Sequence, residues 1–158
     1  MAYTIRFFAT LAAITFALAT NAQLIDKKSL TLEAAQKIAA ASLAEARANN
    51  LNLVIAIVDD GGHLIALSRM ETAQYGSIDV AIAKAKTAAA FRRPTKLFED
   101  MAKSRPTLAT IANASLLEGG VPILHNGQVI GAVGISGATA QQDTQVAETG
   151  INSLGLTR

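Results

Sequence analysis

Residues 127–143 read GQVIGAVGISGATAQQD. Val129, Ile130, Val133 and Ile135 form a β-branched run that suits a strand. Thr139 stands three residues before Gln142, the spacing of a capping box, so a helix begins there. A strand therefore passes almost directly into a helix. Gly131, Gly134 and Gly137 recur at every third position through that passage. Glycine weakens a strand unless another backbone or a ligand comes close. Just upstream, Asn126-Gly127 is the dipeptide of a type I′ turn, and it joins Val121–His125 to Gln128–Ser136 as a hairpin. Gly119-Gly120 opens that hairpin, and the final helix covers Thr139–Leu154.

Working back from there, the same signals recur. Ser77–Phe91 (SIDVAIAKAKTAAAF) predicts a helix with Ser77 as its cap and a smooth face of Ala81, Ala85, Ala88 and Ala89. Arg92-Arg93-Pro94 ends it. Thr95–Ser104 is a shorter helix before Pro106, and 107–118 is a helical turn followed by a loop. Leu53–Val58 and His63–Met70 flank Asp59-Asp60-Gly61-Gly62 as a second hairpin. Thr31–Asn50 places Leu32, Ala35, Ala39, Leu43 and Ala46 on one helical face, with Thr31 as cap. The order helix, hairpin, helices, hairpin, helix predicts one antiparallel sheet of four or five strands with helices packed on it.

The chain has 158 residues, enough for one domain, and 51% of them are apolar while only 4% are aromatic. Residues 1–22 carry Arg6 as their single charge. An apolar run of about 13 residues follows, short of the roughly 20 that a spanning helix needs. Small residues then precede a cleavage point after Ala22, which is the layout of a secretory signal peptide. The expected mature domain is 23–158, periplasmic or secreted, with no membrane span after cleavage. Losing Arg6 from a net charge of +2 leaves it close to neutral, and no basic stripe with interleaved aromatics marks a nucleic-acid surface. The absence of cysteine excludes disulfides, thiolate ligands and cysteine nucleophiles.

Few residues are left to carry chemistry. Asp60 and His63 read as turn residues of the first hairpin. Arg69 closes an apolar strand and needs a carboxylate partner or a bound anion. It lies about 20 Å along the strand from His63, too far for both to touch one small substrate. His125 precedes the second turn. Two histidines without a carboxylate at ligand spacing make no zinc site. Gly119, Gly120, Gly134, Ser136 and Gly137, beside the free amides of a helix N-terminus, outline a bare corner. It has two readings: an anion site, or a place where helices or subunits pack tightly.

Five blocks carry a family resemblance: TLEAAQKIA, VDDGGHLIALSRM, AIAKAKTAAAF, GGVPI and GQVIGAVGISGATAQQDTQVAETG. Together they resemble the GlcG/HbpS-type haem-binding family, which includes the C-terminal domain of PduO-type corrinoid adenosyltransferases. The resemblance runs from Thr31 to Leu154. It departs at Ala138, where the family often has a second glycine. It implies a profilin-like α/β (α+β) fold, with a five-stranded antiparallel sheet and helices on both faces. It also implies a homo-oligomer and haem as the cofactor. Matching positions are Asp59, Gly62, Arg69, Met70, Lys84, Gly119, Gly120, Pro122, Gly131, Gly134, Ser136, Gly137 and Asp143. For haem, His63, His125, Met70 and Tyr75 remain as iron donors, with His63 and His125 the first candidates. Arg69, Lys84 or helix-end amides would meet the propionates. So few aromatics suit a surface or intersubunit site better than a deep pocket.

The expected function is an exported protein that binds haem, or a related small ligand, and sequesters or senses it as a homo-oligomer. One alternative is an enzyme or accessory protein acting on a small carboxylate or keto acid. Lys84, Asp59, Glu118 and Asp143 would then supply acid and base, and Arg69 the carboxylate clamp. Another is a structural partner docking through the smooth Ala81, Ala85, Ala88 face.

Overall fold

The computed structural model describes residues 25–156, so the leader expected at 1–22 lies outside the described residues. The elements are α1 (Leu32–Ala48), β1 (Val54–Asp59), β2 (Leu64–Arg69), α2 (Ser77–Phe91), α3 (Thr95–Ser104), a 3-10 turn (Pro106–Thr110), β3 (Gly120–His125), β4 (Gln128–Ser136) and α4 (Ala140–Asn152). Thr31 caps α1 by accepting from the Ala34 amide at 3.2 Å. Thr139 and Gln142 complete the capping box of α4. Asn126 and Gly127 both have positive φ, as a type I′ turn requires.

Two expectations change. The N-cap of α2 is Gly76, with no side-chain cap, and Ser77 is the first, buried residue of the helix. Among the described residues the sheet has four strands rather than five, in the order β2-β1-β4-β3, all antiparallel. The residues before α1 come close to adding another. The Leu30 amide donates to the Ile130 carbonyl at 2.9 Å, and the Leu30 side chain is buried over the bare Cα of Gly131. One such bond does not make a strand.

Helices cover both faces of the sheet. On one face α2 lies over β1, β4 and β3. On the other, α1 and α4 pack on each other and on the sheet. Between them runs an aliphatic core containing Ile38, Val54, Ile55, Ile57, Ile123, Val133, Ile135 and Val146. Alanine lets α2 lie close: Ala81, Ala85, Ala88 and Ala89 are all buried against the sheet. That smooth face is spent on the protein's own core, so it is not the docking face considered above. α1 and α4 approach closely at Gly150, where a Cβ would lie 2.2 Å from Ser42 Oγ. There the Ser42 hydroxyl donates to the Val146 carbonyl at 3.2 Å.

Candidate functional site

The strand register divides the candidate residues between two ends of the sheet. β1 pairs Asp59 with Gly131 at one end and Val54 with Ser136 at the other. Both hairpin turns lie at the first end, with His63 and His125. Arg69, opposite Val54, lies at the second end with Ser136 and the Gly119–Gly120 start of β3. One chain therefore does not gather the histidines and the glycine corner into a single pocket.

At the second end, the protein's own atoms fill the glycine corner. A Cβ on Gly134 would lie 2.1 Å from the Ala81 carbonyl oxygen, and one on Gly120 2.4 Å from that of Lys84. On Gly137 it would meet the Asn52 carbonyl at 2.5 Å. These glycines exist so that α2 and the chain entering β1 can approach the sheet. The reading of an open, amide-lined anion site is corrected accordingly. Ser136 is buried at the same end.

Lys84 is corrected too. Its ammonium is buried and donates to Asp143 Oδ2 at 2.8 Å and to the Ile135 carbonyl at 2.9 Å, beside Gly119. Asp143 Oδ1 accepts from the Ala138 amide at 3.1 Å. Burial pushes the Asp143 carboxyl up, against the pull of Lys84. Glu118, also buried, accepts from the Thr144 hydroxyl at 3.1 Å and lies 3.5 Å from Lys96 Nζ. The acid and base set considered for an enzyme does come together here, except Asp59. Its members are buried: Lys84 and Asp143 pair with each other, which makes a joint between α2, β4 and α4, while Glu118 is held by Thr144 and Lys96.

At the first end, the acid that builds the turn is Asp59. Its Oδ1 accepts from the amides of Gly61 (2.9 Å) and His63 (2.8 Å), and its Oδ2 lies 3.3 Å from His63 Nδ1. Burial pushes the Asp59 carboxyl up. The two amides and the nearby imidazole outweigh it and hold the group below the usual carboxylate range. Asp60 lies in the turn as expected, and its carboxylate pairs with Lys27 of the arm before α1. The Lys27 contact and a Ser29 hydrogen bond depress the Asp60 carboxyl.

The two histidines differ in what surrounds them. A carboxylate beside Nδ1 of His63 favours the tautomer with its proton there, which leaves Nε2 as a free donor atom. The His63 side chain is 84% exposed. Among the described residues, His125 Nδ1 is buried with no hydrogen-bond partner and no carboxylate behind it. Met70 is buried. Tyr75 is exposed, with the Arg69 guanidinium 5.1 Å from its ring centre. Arg69 has neither a carboxylate nor an anion among the described residues; it donates to the carbonyls of Glu71 and Ala73, both at 3.3 Å.

Between His63 and Arg69 lies a feature that periodicity does not reveal. By register Leu67 shares the face of Ala56 and Gly134, and Leu64 that of Val58 and Ala132. This is the α2 face, but α2 sits over the other three strands. Leu64 is left 47% exposed and Leu67 37% exposed. Lys86 of α2 passes beside Gly62 in the same hairpin turn. The donor set fits haem: an imidazole with a free nitrogen, an aliphatic strip, and cations at both ends of it. Among the described residues no group of three or more His, Asp or Glu could hold a bare metal ion, and no helix is long and apolar enough to cross a membrane.

A family model described as haem degrading protein HbpS-like matches residues 30–152. Protein GlcG of Escherichia coli strain K12 is 46% identical over 108 residues, covering 68% of this chain and 81% of GlcG. A double mutant of HbpS from Streptomyces reticuli has a similar structure, with a TM-score of 0.80 at 32% identity, covering 87% of this chain and 95% of that one. PduOC, solved as a complex with heme, gives a TM-score of 0.75 at 25% identity, covering 82% of this chain and 97% of that one.

Proposed function

Because this chain belongs to the HbpS-like family, we propose that it binds haem on the open face of β2, with His63 as the iron ligand. The observation that carries this reading is the Asp59–His63 pair at the head of the exposed Leu64, Leu67 strip. Asp59 orients the ring, as the partner of a metal-bound histidine commonly does. Leu64 and Leu67 offer an apolar bed. The two propionates leave one edge of the macrocycle, so the cation at one end of the strip, Lys86 or Arg69, would meet both. When bound, haem supplies a redox-active iron.

An open strip covers only one side of a flat ligand. That supports the further proposal that a homo-oligomer completes the site. The leader expected at 1–22 supports export to the periplasm or beyond, where the protein would sequester or sense haem.

Titrating the purified protein with haemin tests the reading. The expected result is a saturable Soret shift that His63→Ala removes, His125→Ala keeps and Leu67→Glu weakens. No saturable shift, or an unchanged shift in His63→Ala, overturns it. Loss of the Soret band with time, in the presence of a reductant and oxygen, would add degradation to binding.

A further inference from the structure

The edge of the sheet opposite the β2 strip carries a groove of about 210 Å³ along β3. Val121 and Leu124 of β3, Ile151 of α4 and Leu156 after it give it an apolar lining. Arg92, the residue that ends α2, and Glu148 of α4 also line it. Among the described residues neither the Arg92 guanidinium nor the Glu148 carboxylate has an ion-pair or hydrogen-bond partner, although opposite charges lining one groove could pair with each other. Arg92 is held in the left-handed region, φ 55°, with its amide bonded to the carbonyls of Ala88 and Ala89.

Strand addition does not suit this edge. The outward amide of Gly120 already donates to Thr95 Oγ1 at 2.9 Å, and Pro122 has no amide to give. Proline and a covered amide are how proteins blunt an edge strand. The volume is below the roughly 300 Å³ at which pockets for drug-sized ligands begin. The occupant is therefore small, with an apolar body and one charge of each sign.

We infer that the β3 groove binds a free aliphatic α-amino acid. Its carboxylate meets Arg92, its ammonium meets Glu148, and its side chain lies on Val121, Leu124 and Ile151. Arg92 presents a planar donor fork suited to a carboxylate. The site lies at the other edge of the sheet from the β2 strip, so it stands or falls independently of haem.

Methyl and amide NMR during titration of the full chain with L-leucine tests the inference. Saturable shifts centred on Val121, Leu124 and Ile151 are expected. N-acetyl-leucine, which lacks the ammonium, and leucinamide, which lacks the carboxylate, should each bind about tenfold more weakly or worse, the cost of a lost charged hydrogen bond. Arg92→Gln and Glu148→Gln should do the same to leucine itself. Both are surface changes, and their folding is checked by circular dichroism. No saturable shifts with leucine, or either blocked analogue binding as tightly as leucine, overturns the inference.

Discussion

Replacing Gly134 by alanine should destabilise the protein heavily without touching any ligand. The new Cβ would lie 2.1 Å from the Ala81 oxygen, 2.5 Å from the Ala85 nitrogen and 3.0 Å from the Ala85 Cβ. Two of these three obstacles are helix backbone, so no side-chain rotation relieves them. To restore even a tight contact of 3.0 Å, α2 must rise by about 1 Å over β4. A gap of that size forfeits a quarter to a half of the dispersion attraction across it. Ala81, Ala85 and Ala88 would all lose contact together, because a helix moves as a rod. Over-packing costs about 1–3 kcal/mol when neighbours can adjust, and this site belongs at the upper end. With a urea slope of about 2 kcal/mol/M, a loss of about 3 kcal/mol lowers the unfolding midpoint by about 1.5 M. The assay is urea denaturation followed by circular dichroism. Gly76→Ala is the control: nothing lies within 4 Å of the added carbon and φ is −61°, so stability should hold or rise by about 0.4–1 kcal/mol, a midpoint shift of at most about 0.5 M. An unchanged midpoint for Gly134→Ala, with weakened haemin binding, would refute the packing argument and return the glycine corner to the ligand.

Lys84→Met should cost about 3–5 kcal/mol, since it strands the buried Asp143 carboxylate. Lys84→Met with Asp143→Leu should recover most of that loss, and a double variant no better than the single would contradict the pairing. In Lys84→Met, acidification should restore stability. Burial raises the Asp143 pKa, so the folded state takes up a proton before the unfolded one and gains as pH falls. The Asp60 carboxyl has the opposite sign, because Lys27 and Ser29 hold it below 3.8. It pins the arm before α1 at neutral pH, and the hold weakens progressively as pH falls below 3.8 towards the lowered value of the folded state. Hydrogen-exchange protection of the Leu30 amide should therefore be higher at about pH 6 than at about pH 3; equal protection at both would count against the clasp. Thr139→Ala should cost about 1 kcal/mol in thermal or urea unfolding, by removing an N-cap; no loss would mean that α4 is set by packing alone.

Local structure was legible because its causes are local. α2, α3 and β4 span the residues read from the sequence, Ser77–Phe91, Thr95–Ser104 and Gln128–Ser136, with Pro94, Pro106 and the Asn-Gly turn as their punctuation, although Ser77 is not the cap. The Asn126-Gly127 turn and the Thr139–Gln142 box follow from dihedral and hydrogen-bond preferences within four residues. The five quoted blocks were enough to identify the family. What the sequence could not yield depends on which distant element lands where. Gly134 had room for a ligand or for a helix, and the helix that fills it lies some fifty residues earlier in the chain. Lys84 had a free charge until Asp143, 59 residues later, came within 2.8 Å. Asp59 and Asp60 are neighbours in text, but the amides of the turn hold the first and the arm before α1 holds the second. The open strip on β2 arises because α2 crosses three strands of a four-stranded sheet and misses the fourth. Spacing along a chain sets periodicity and caps, whereas burial and pairing are properties of the assembled layers.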